Sequence, residues 1–217
     1  MNQRQAISDR MRDHYEAFWS QGDPWDFENS KIDEERFQRQ LALVNDRRYE
    51  RVLDLGCGSG EFARLTSDIA KQVTAVDIAP AAIDHARLRC SDRQNVEFCA
   101  ANMMEYDFHA GGPWDLVVMS ESIYCLGWLY PLFDVGWPLK ELADAMTGGG
   151  RFLLVNTLGK EGDYLLLPWL VSTYRDLVLN VGYELETEQT FRGLKHGIEF
   201  DVLMSLFRKR ASDNASV

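Results

Sequence analysis

The sequence predicts an α/β fold: a doubly wound, mostly parallel sheet of seven strands, with an antiparallel hairpin at one edge and helices ahead of the sheet. Three observations carry this expectation. Apolar runs of strand length alternate with helical patterns between positions 51 and 156, the mark of βαβ units and a parallel sheet. Two β-type segments then follow one another directly, which suits an antiparallel edge pair. The run Val52-Leu53-Asp54-Leu55 breaks into Gly56-Cys57-Gly58-Ser59-Gly60, a strand entering a tight turn before a helix.

The elements follow in order. Residues 1–21 read as a helix that ends near Gly22-Asp23-Pro24. Ser30 is a candidate cap for a second helix reaching Asn45, with Asp33, Glu34 and Glu35 near its positive end. These two helices, within 1–46, form an expected lid. Arg51–Leu55 is the first strand, Glu61–Ala70 a helix, and Val73–Asp77 the second strand. A helix starts at Pro80, a residue suited to a first helical position. Val96–Ala100 and Trp114–Ser120 are strands three and four. A helix over Leu129–Met146 ends at Gly148-Gly149-Gly150, and Arg151–Asn156 is strand five. Asp163–Asn180 reads as a long amphipathic helix, and Tyr183–Phe191 and Ile198–Phe207 as the edge strands. The expected organisation is one domain: helices over 1–46, an α/β core over 50–207 and a polar tail over 208–217.

Composition narrows the function classes. The chain has 217 residues, 46% hydrophobic and 12% aromatic, which is globular rather than disordered. Its net charge of −11 argues against a nucleic-acid partner, since a phosphate backbone wants a basic face. Cys57, Cys90, Cys99 and Cys125 form no C-x-x-C pair and no zinc-like spacing, so no metal is expected. Met1–Gln5 begins no apolar signal region and no run approaches the roughly 18 apolar residues of a membrane span. The expected location is cytoplasmic, with no membrane partner. Nothing in the sequence decides between monomer and homodimer.

The glycine turn carries the chemistry. Gly56, Gly58 and Gly60 permit positive φ and let a ligand approach the backbone. Asp77, at the tip of the next strand, suits a ribose diol because a carboxylate accepts two hydroxyl hydrogen bonds. The spacing is G-x-G-x-G rather than G-x-G-x-x-G, and no Gly-Lys-Ser/Thr follows, so the loop is not a triphosphate loop. Asp54 faces the turn, where it repels a pyrophosphate and attracts a cationic ligand.

In an open α/β sheet the ligand sits at the carboxyl ends of the strands. Strand four is followed by Ser120-Glu121-Ser122-Ile123-Tyr124 and strand five by Asn156-Thr157. Glu121 is a candidate catalytic proton acceptor or counter-charge, or else a solvent-facing residue at a helix start. Tyr124 is a candidate catalytic pocket residue, or else packing. Tyr15, Trp19, Trp25, Trp128, Tyr130 and Trp137 lie in segments that overhang the pocket. Their faces suit an alkylated ammonium, or they form a lid that keeps water out. The candidate substrate-binding set is Tyr15, Trp19, Trp128, Asn156 and Tyr174. His14 and His196 are possible bases or surface residues.

Asp54, Gly56, Gly58, Gly60 and Asp77, with Ala101-Asn102-Met103 after the third strand, resemble the class I S-adenosylmethionine-dependent methyltransferases over roughly 50–157. The resemblance implies a Rossmann-like methyltransferase fold and S-adenosylmethionine as cofactor, with S-adenosylhomocysteine as product. It places Asp54 near the amino acid moiety, the glycines against the cofactor backbone, Asp77 on the ribose and Asn102 at the adenine amino group. Ile78, Met103 and Ser120 join this cofactor-binding set. Many members carry Asp where this chain has Asn102.

Asp23-Pro24-Trp25 followed by Glu35-Arg36 is similar to the nodulation-protein-S-type N-methyltransferases. That similarity implies Trp25 packed on the cofactor and Arg36 paired with its carboxylate, a role suited to a bidentate fork. The expected function is methyl transfer to an amine nitrogen of a small molecule. A hydroxyl or carboxylate acceptor is the alternative. Behind it stand a nicotinamide-dependent oxidoreductase and a non-catalytic adenosyl-binding protein.

Overall fold

The computed structural model describes residues 3–127, 129–159, 166 and 168–210. Two helices come first, α1 (Gln3–Trp19) and α2 (Lys31–Ala42). Ser30 caps α2 by accepting the Asp33 amide, and Asp33 and Glu34 occupy the first turn, where the helix dipole favours negative charge. The core then runs β1 (Tyr49–Leu55), α3 (Glu61–Ser67), β2 (Ala70–Asp77), α4 (Pro80–Arg89), β3 (Val96–Ala100), β4 (Trp114–Ser120), α5 (Ile123–Gly127), α6 (Leu132–Asp144), β5 (Met146–Leu158), α7 (Pro168–Asn180), β6 (Tyr183–Lys195) and β7 (Ile198–Lys209).

The seven strands form one sheet in the order β3-β2-β1-β4-β5-β7-β6. β1 to β5 are parallel, and β7 runs antiparallel to both β5 and β6. Side-chain alternation along the strands builds two cores. Leu53, Leu55, Val117, Met119, Phe152 and Leu154 pack on one face with Leu126, Leu139, Leu142 and Val178 from α5, α6 and α7. Val52, Leu116, Val118, Leu153 and Val155 pack on the other with Phe62, Ala63 and Ile83 from α3 and α4. A strand with apolar residues on both faces must be covered on both, which makes the fold doubly wound. Strand order reverses between β1 and β4, so a crevice opens at their carboxyl ends.

Several boundaries differ from the sequence expectation. The helix expected over 129–146 is α6 alone, preceded by the separate short α5. β5 begins at Met146, before the glycines. Trp114 pairs Met146 and Leu116 pairs Arg151, so Thr147 and the three glycines bulge out of the ladder within the strand. The edge strands are longer than expected because His196 and Gly197, both at positive φ (51° and 76°), turn one directly into the other. A His-Gly pair is a weaker hairpin signal than Asn-Gly. The helix expected over 163–180 begins at Pro168 among the described residues; 163–165 and 167 lie outside them. Of the expected tail, Arg208 and Lys209 close β7, and 211–217 lie outside the described residues.

Candidate active site

A cavity of about 630 Å³ opens at the carboxyl ends of β1 and β4, within the range of small-molecule sites, roughly 300–1,000 Å³. Its floor is the glycine loop. Gly56, Gly58 and Gly60 sit at φ 79°, 52° and 81°. A Cβ on Gly56 would lie 2.5 Å from the Ser122 Cβ, so the loop fits beneath the start of α5 only without a side chain. Gly60 does not line the cavity. It caps α3 and lies against α4, where a Cβ would meet the Ala86 Cβ at 2.9 Å.

Asp77 braces this loop. One carboxylate oxygen accepts the Gly58 amide and the other the Ala79 amide, each at 3.0 Å. Burial raises the Asp77 carboxyl, and these backbone amides pull against that. Asp54 is 2% exposed, and its Oδ2 has no partner among the described residues. Burial, with the Asp77 and Glu61 charges, pushes Asp54 up to about 7. A buried carboxylate oxygen without a donor costs free energy unless a ligand or proton meets it. The donor set therefore fits a cofactor with a cationic group beside Asp54, hydroxyls beside Asp77 and a backbone lying against the Gly56 and Gly58 positions. Ile78 and Met103 line the cavity next to these groups.

Asn102 also lines it, but its side chain is engaged. Nδ2 donates to Ser8 Oγ (2.9 Å) and the Tyr130 hydroxyl (3.1 Å), and Oδ1 accepts the Met104 amide (3.0 Å). It ties α1 to the loop after β3. A second lone pair on Oδ1 is what remains for a ligand.

The roof comes from α1, α2, the segment between them and the β6–β7 tip. Tyr15, Trp19 and Trp25 all face the cavity. Trp19 covers Gly58, whose Cβ would lie 3.1 Å from the indole. Tyr15 donates to Cys125 Sγ at 2.9 Å. Burial, partly offset by that bond, pushes the Cys125 thiol up to about 11. Arg36 is 4% exposed. It donates to Asp33 from Nε (3.2 Å) and lies 3.4 Å from Glu121 Oε1. Its guanidinium sits 4.6 Å from the Phe37 ring centroid. Lys195, from the hairpin tip, pairs with Asp33 and donates to the Trp25 carbonyl at 2.6 Å. Burial pushes Asp33 up, but the hydrogen bonds of Lys195 and Ser30 and the Arg36 charge outweigh it and hold the carboxyl below its ordinary value.

Glu121 stands at the end of β4 with φ 57°, a left-handed conformation that a non-glycine residue adopts at a cost. Its carboxylate accepts the Thr157 amide (3.0 Å) and hydroxyl (2.9 Å) besides Arg36. It faces the cavity, about four-fifths buried, and is held by Thr157 and Arg36. Burial, with the neighbouring Glu121 charge, raises the Tyr124 hydroxyl well above its ordinary value. Ser120 faces the cavity and donates to Gln40 Oε1 at 3.1 Å.

The structure does not bring two expected residues to the cavity. Asn156 is 2% exposed and turned away, because alternation along β5 points Thr157 inward instead. Tyr174 is buried with its hydroxyl in the slot left by Gly127. Trp128 lies outside the described residues. Phe18, Phe27, Asp33, Ile198 and Phe200 line the cavity and were not singled out as ligand-contacting residues by sequence; no local motif marks them.

Residues 52–150 match the methyltransferase domain family. Nodulation protein S of Bradyrhizobium diazoefficiens is 27% identical over 105 residues, 48% of this chain and 49% of that protein. The matched segment thus spans about half the length of this curated relative. Among solved structures, N-methyltransferase NodS from Bradyrhizobium japonicum in complex with S-adenosyl-l-homocysteine superposes with a TM-score of 0.77 at 19% identity, over 92% of this chain and 98% of that one. The 1,6-didemethyltoxoflavin-N1-methyltransferase of Burkholderia thailandensis gives 0.69 at 17% identity, over 94% and 88%. By these matches residues 52–150 are similar to methyltransferase domains and to nodulation protein S, and the chain shares the fold of the NodS structure.

Proposed function

We propose that this chain transfers a methyl group from S-adenosylmethionine to an amine nitrogen of a small molecule. The observation that carries the reading is the unpartnered, buried oxygen of Asp54 beside a side-chain-free glycine loop, in a cavity that continues under an aromatic roof. Asp54 would meet the cationic amino acid end of the cofactor, Asp77 its ribose and Asn102 Oδ1 its adenine. When bound, the cofactor supplies a methyl whose bond to sulfur breaks with the electron pair left on sulfur, as the nitrogen lone pair forms the new bond. Tyr15, Trp19 and Trp25 would exclude water and hold the acceptor in line, and positioning supplies much of such a rate enhancement.

The engagement of Glu121 favours nitrogen over oxygen. A neutral nitrogen attacks with its own lone pair and needs no base beforehand, whereas a hydroxyl profits from one. Glu121 is held by Thr157 and Arg36, and the Tyr124 hydroxyl is kept protonated by burial. We assign both to positioning the cavity wall. The NodS and didemethyltoxoflavin neighbours are both N-methyltransferases, in accord with this choice.

Calorimetric titration with S-adenosylmethionine, S-adenosylhomocysteine and NAD tests the reading. Binding of both sulfur nucleosides, lost on Asp77→Ala, with no NAD binding, is expected. NAD binding with no sulfur-nucleoside binding sinks it.

A further inference from the structure

Beyond the glycine loop, under α2 and the hairpin tip, the cavity is charge-balanced from within. Asp33 and Glu121 bring two negative charges, and Arg36 and Lys195 bring two positive ones. Arg36 serves both acids, while Lys195 serves Asp33 alone among these four. Lys195 also sits 5.6 Å from the Phe27 ring centroid and donates to Trp25, so it is fixed in place. The remaining wall is largely aromatic or aliphatic, with Tyr15, Phe18, Trp25, Phe37, Ile198 and Phe200, and its further polar residues include His14, His196 and Thr157. An alkylammonium entering here would shed its water and find Asp33 and Glu121 already paired with cations, which is unfavourable. A flat, uncharged molecule loses little water and gains aromatic contact. The free carboxylate oxygen of Asp54 belongs to the strand that leads into the glycine loop, in the same cavity.

Resting on the methyl-transfer reading, we propose that Lys195 determines acceptor specificity. By neutralising Asp33 it selects a planar, uncharged nitrogen heterocycle over an alkylammonium. Without Lys195 the group holds two carboxylates and one cation, and Asp33 becomes a counter-charge on the cavity wall. The nucleophile is then a ring nitrogen. Its lone pair forms the bond to the methyl carbon, the methyl–sulfur pair stays on sulfur, and a ring N–H proton leaves to water.

The test uses protein saturated with S-adenosylhomocysteine, so that acceptor binding is read without turnover. Benzimidazole and benzylamine, uncharged and cationic near neutral pH, are titrated by ligand-observed NMR. The unmodified protein is expected to favour benzimidazole by at least about tenfold, and Lys195→Gln to lose or invert that ratio. Lys195→Arg should keep it, and Lys195→Gln with Asp33→Asn should restore it. Unchanged S-adenosylhomocysteine affinity shows that each variant is folded. A benzylamine preference in the unmodified protein, a ratio unmoved by Lys195→Gln, or no binding of either probe to the loaded protein overturns the proposal. Absence of S-adenosylhomocysteine binding instead overturns the underlying methyl-transfer reading, and this proposal with it.

Discussion

Arg36 and Glu121, 85 positions apart in sequence, form an ion pair with Arg36 Nη1 3.4 Å from Glu121 Oε1. It joins a helix that precedes the sheet to the tip of a central strand, at the wall of the cavity. Glu121→Ala leaves Arg36 a buried cation with Asp33 as its acid partner on α2. The expected cost is about 1–2 kcal/mol, less than for a fully buried pair because Glu121 keeps some contact with water. Thermal denaturation of the variant measures it. Unchanged stability would mean that the pair does not anchor α2.

On the proposed reading, Asp54 should make cofactor affinity depend on pH. With its folded value pushed up to about 7, the folded chain keeps a proton that the unfolded chain releases near pH 4. That contribution to stability is fully present below about pH 4 and is lost as pH rises through about 7. A cation beside Asp54 favours the ionised form, so binding should release a proton near neutrality. Affinity for S-adenosylmethionine should rise about tenfold between roughly pH 6 and pH 8. Titration in buffers of different ionisation enthalpy detects the proton. Asp54→Asn should abolish the dependence, and a flat pH profile in the unmodified protein would remove Asp54 from the binding account.

Gly56 and Gly60 should fail in different ways when replaced by Ala. Each sits at positive φ and each new Cβ meets a neighbour closer than 3.0 Å, so each variant should lose about 1–3 kcal/mol of stability. Only Gly56 lines the cavity. Gly56→Ala should abolish S-adenosylhomocysteine binding at a temperature where the protein remains folded, and Gly60→Ala should retain it within about threefold. Equal losses of binding would place both glycines on the ligand.

Asn156 buries an Oδ1 with no partner among the described residues, in a central strand where a β-branched residue packs well. Asn156→Val should leave stability equal or higher by about 1 kcal/mol, because an unsatisfied acceptor disappears. Acceptor binding should not change. A loss of more than about tenfold in methyl transfer would return Asn156 to the substrate site.

The sheet and the cofactor corner were legible because their signals are local. Alternate residues of 52–55 face opposite cores, and the glycine turn and Asp77 lie within one βαβ unit. The strand ends and the Thr147–Gly150 bulge were not, since a ladder decides them and not a run of residues. In the site, Asn102 and Glu121 line the cavity, but their engagement with Ser8, Tyr130, Thr157 and Arg36 is tertiary and leaves no trace in the sequence. Tyr174 read as a polar contact until Gly127 offered it a slot. Asp33 read as a helix-dipole charge. Its partner Lys195 stands 162 positions away, and no pattern in either segment announces the other.

That separation has a kinetic side. A contact closing so long a loop forms late, because the chain entropy of closure is lost before the contact returns anything. The parallel strands can pair first, and the Lys195–Asp33 bond and the Lys195–Trp25 bond tie down the tip afterwards. The same order runs backwards in the native state. The tip of β6–β7 can lift while the sheet stays whole, so on the proposed reading a nucleoside would enter and leave by local opening. The residue that balances charge within the cavity would then also hold its rim closed, through Asp33 and the Trp25 carbonyl.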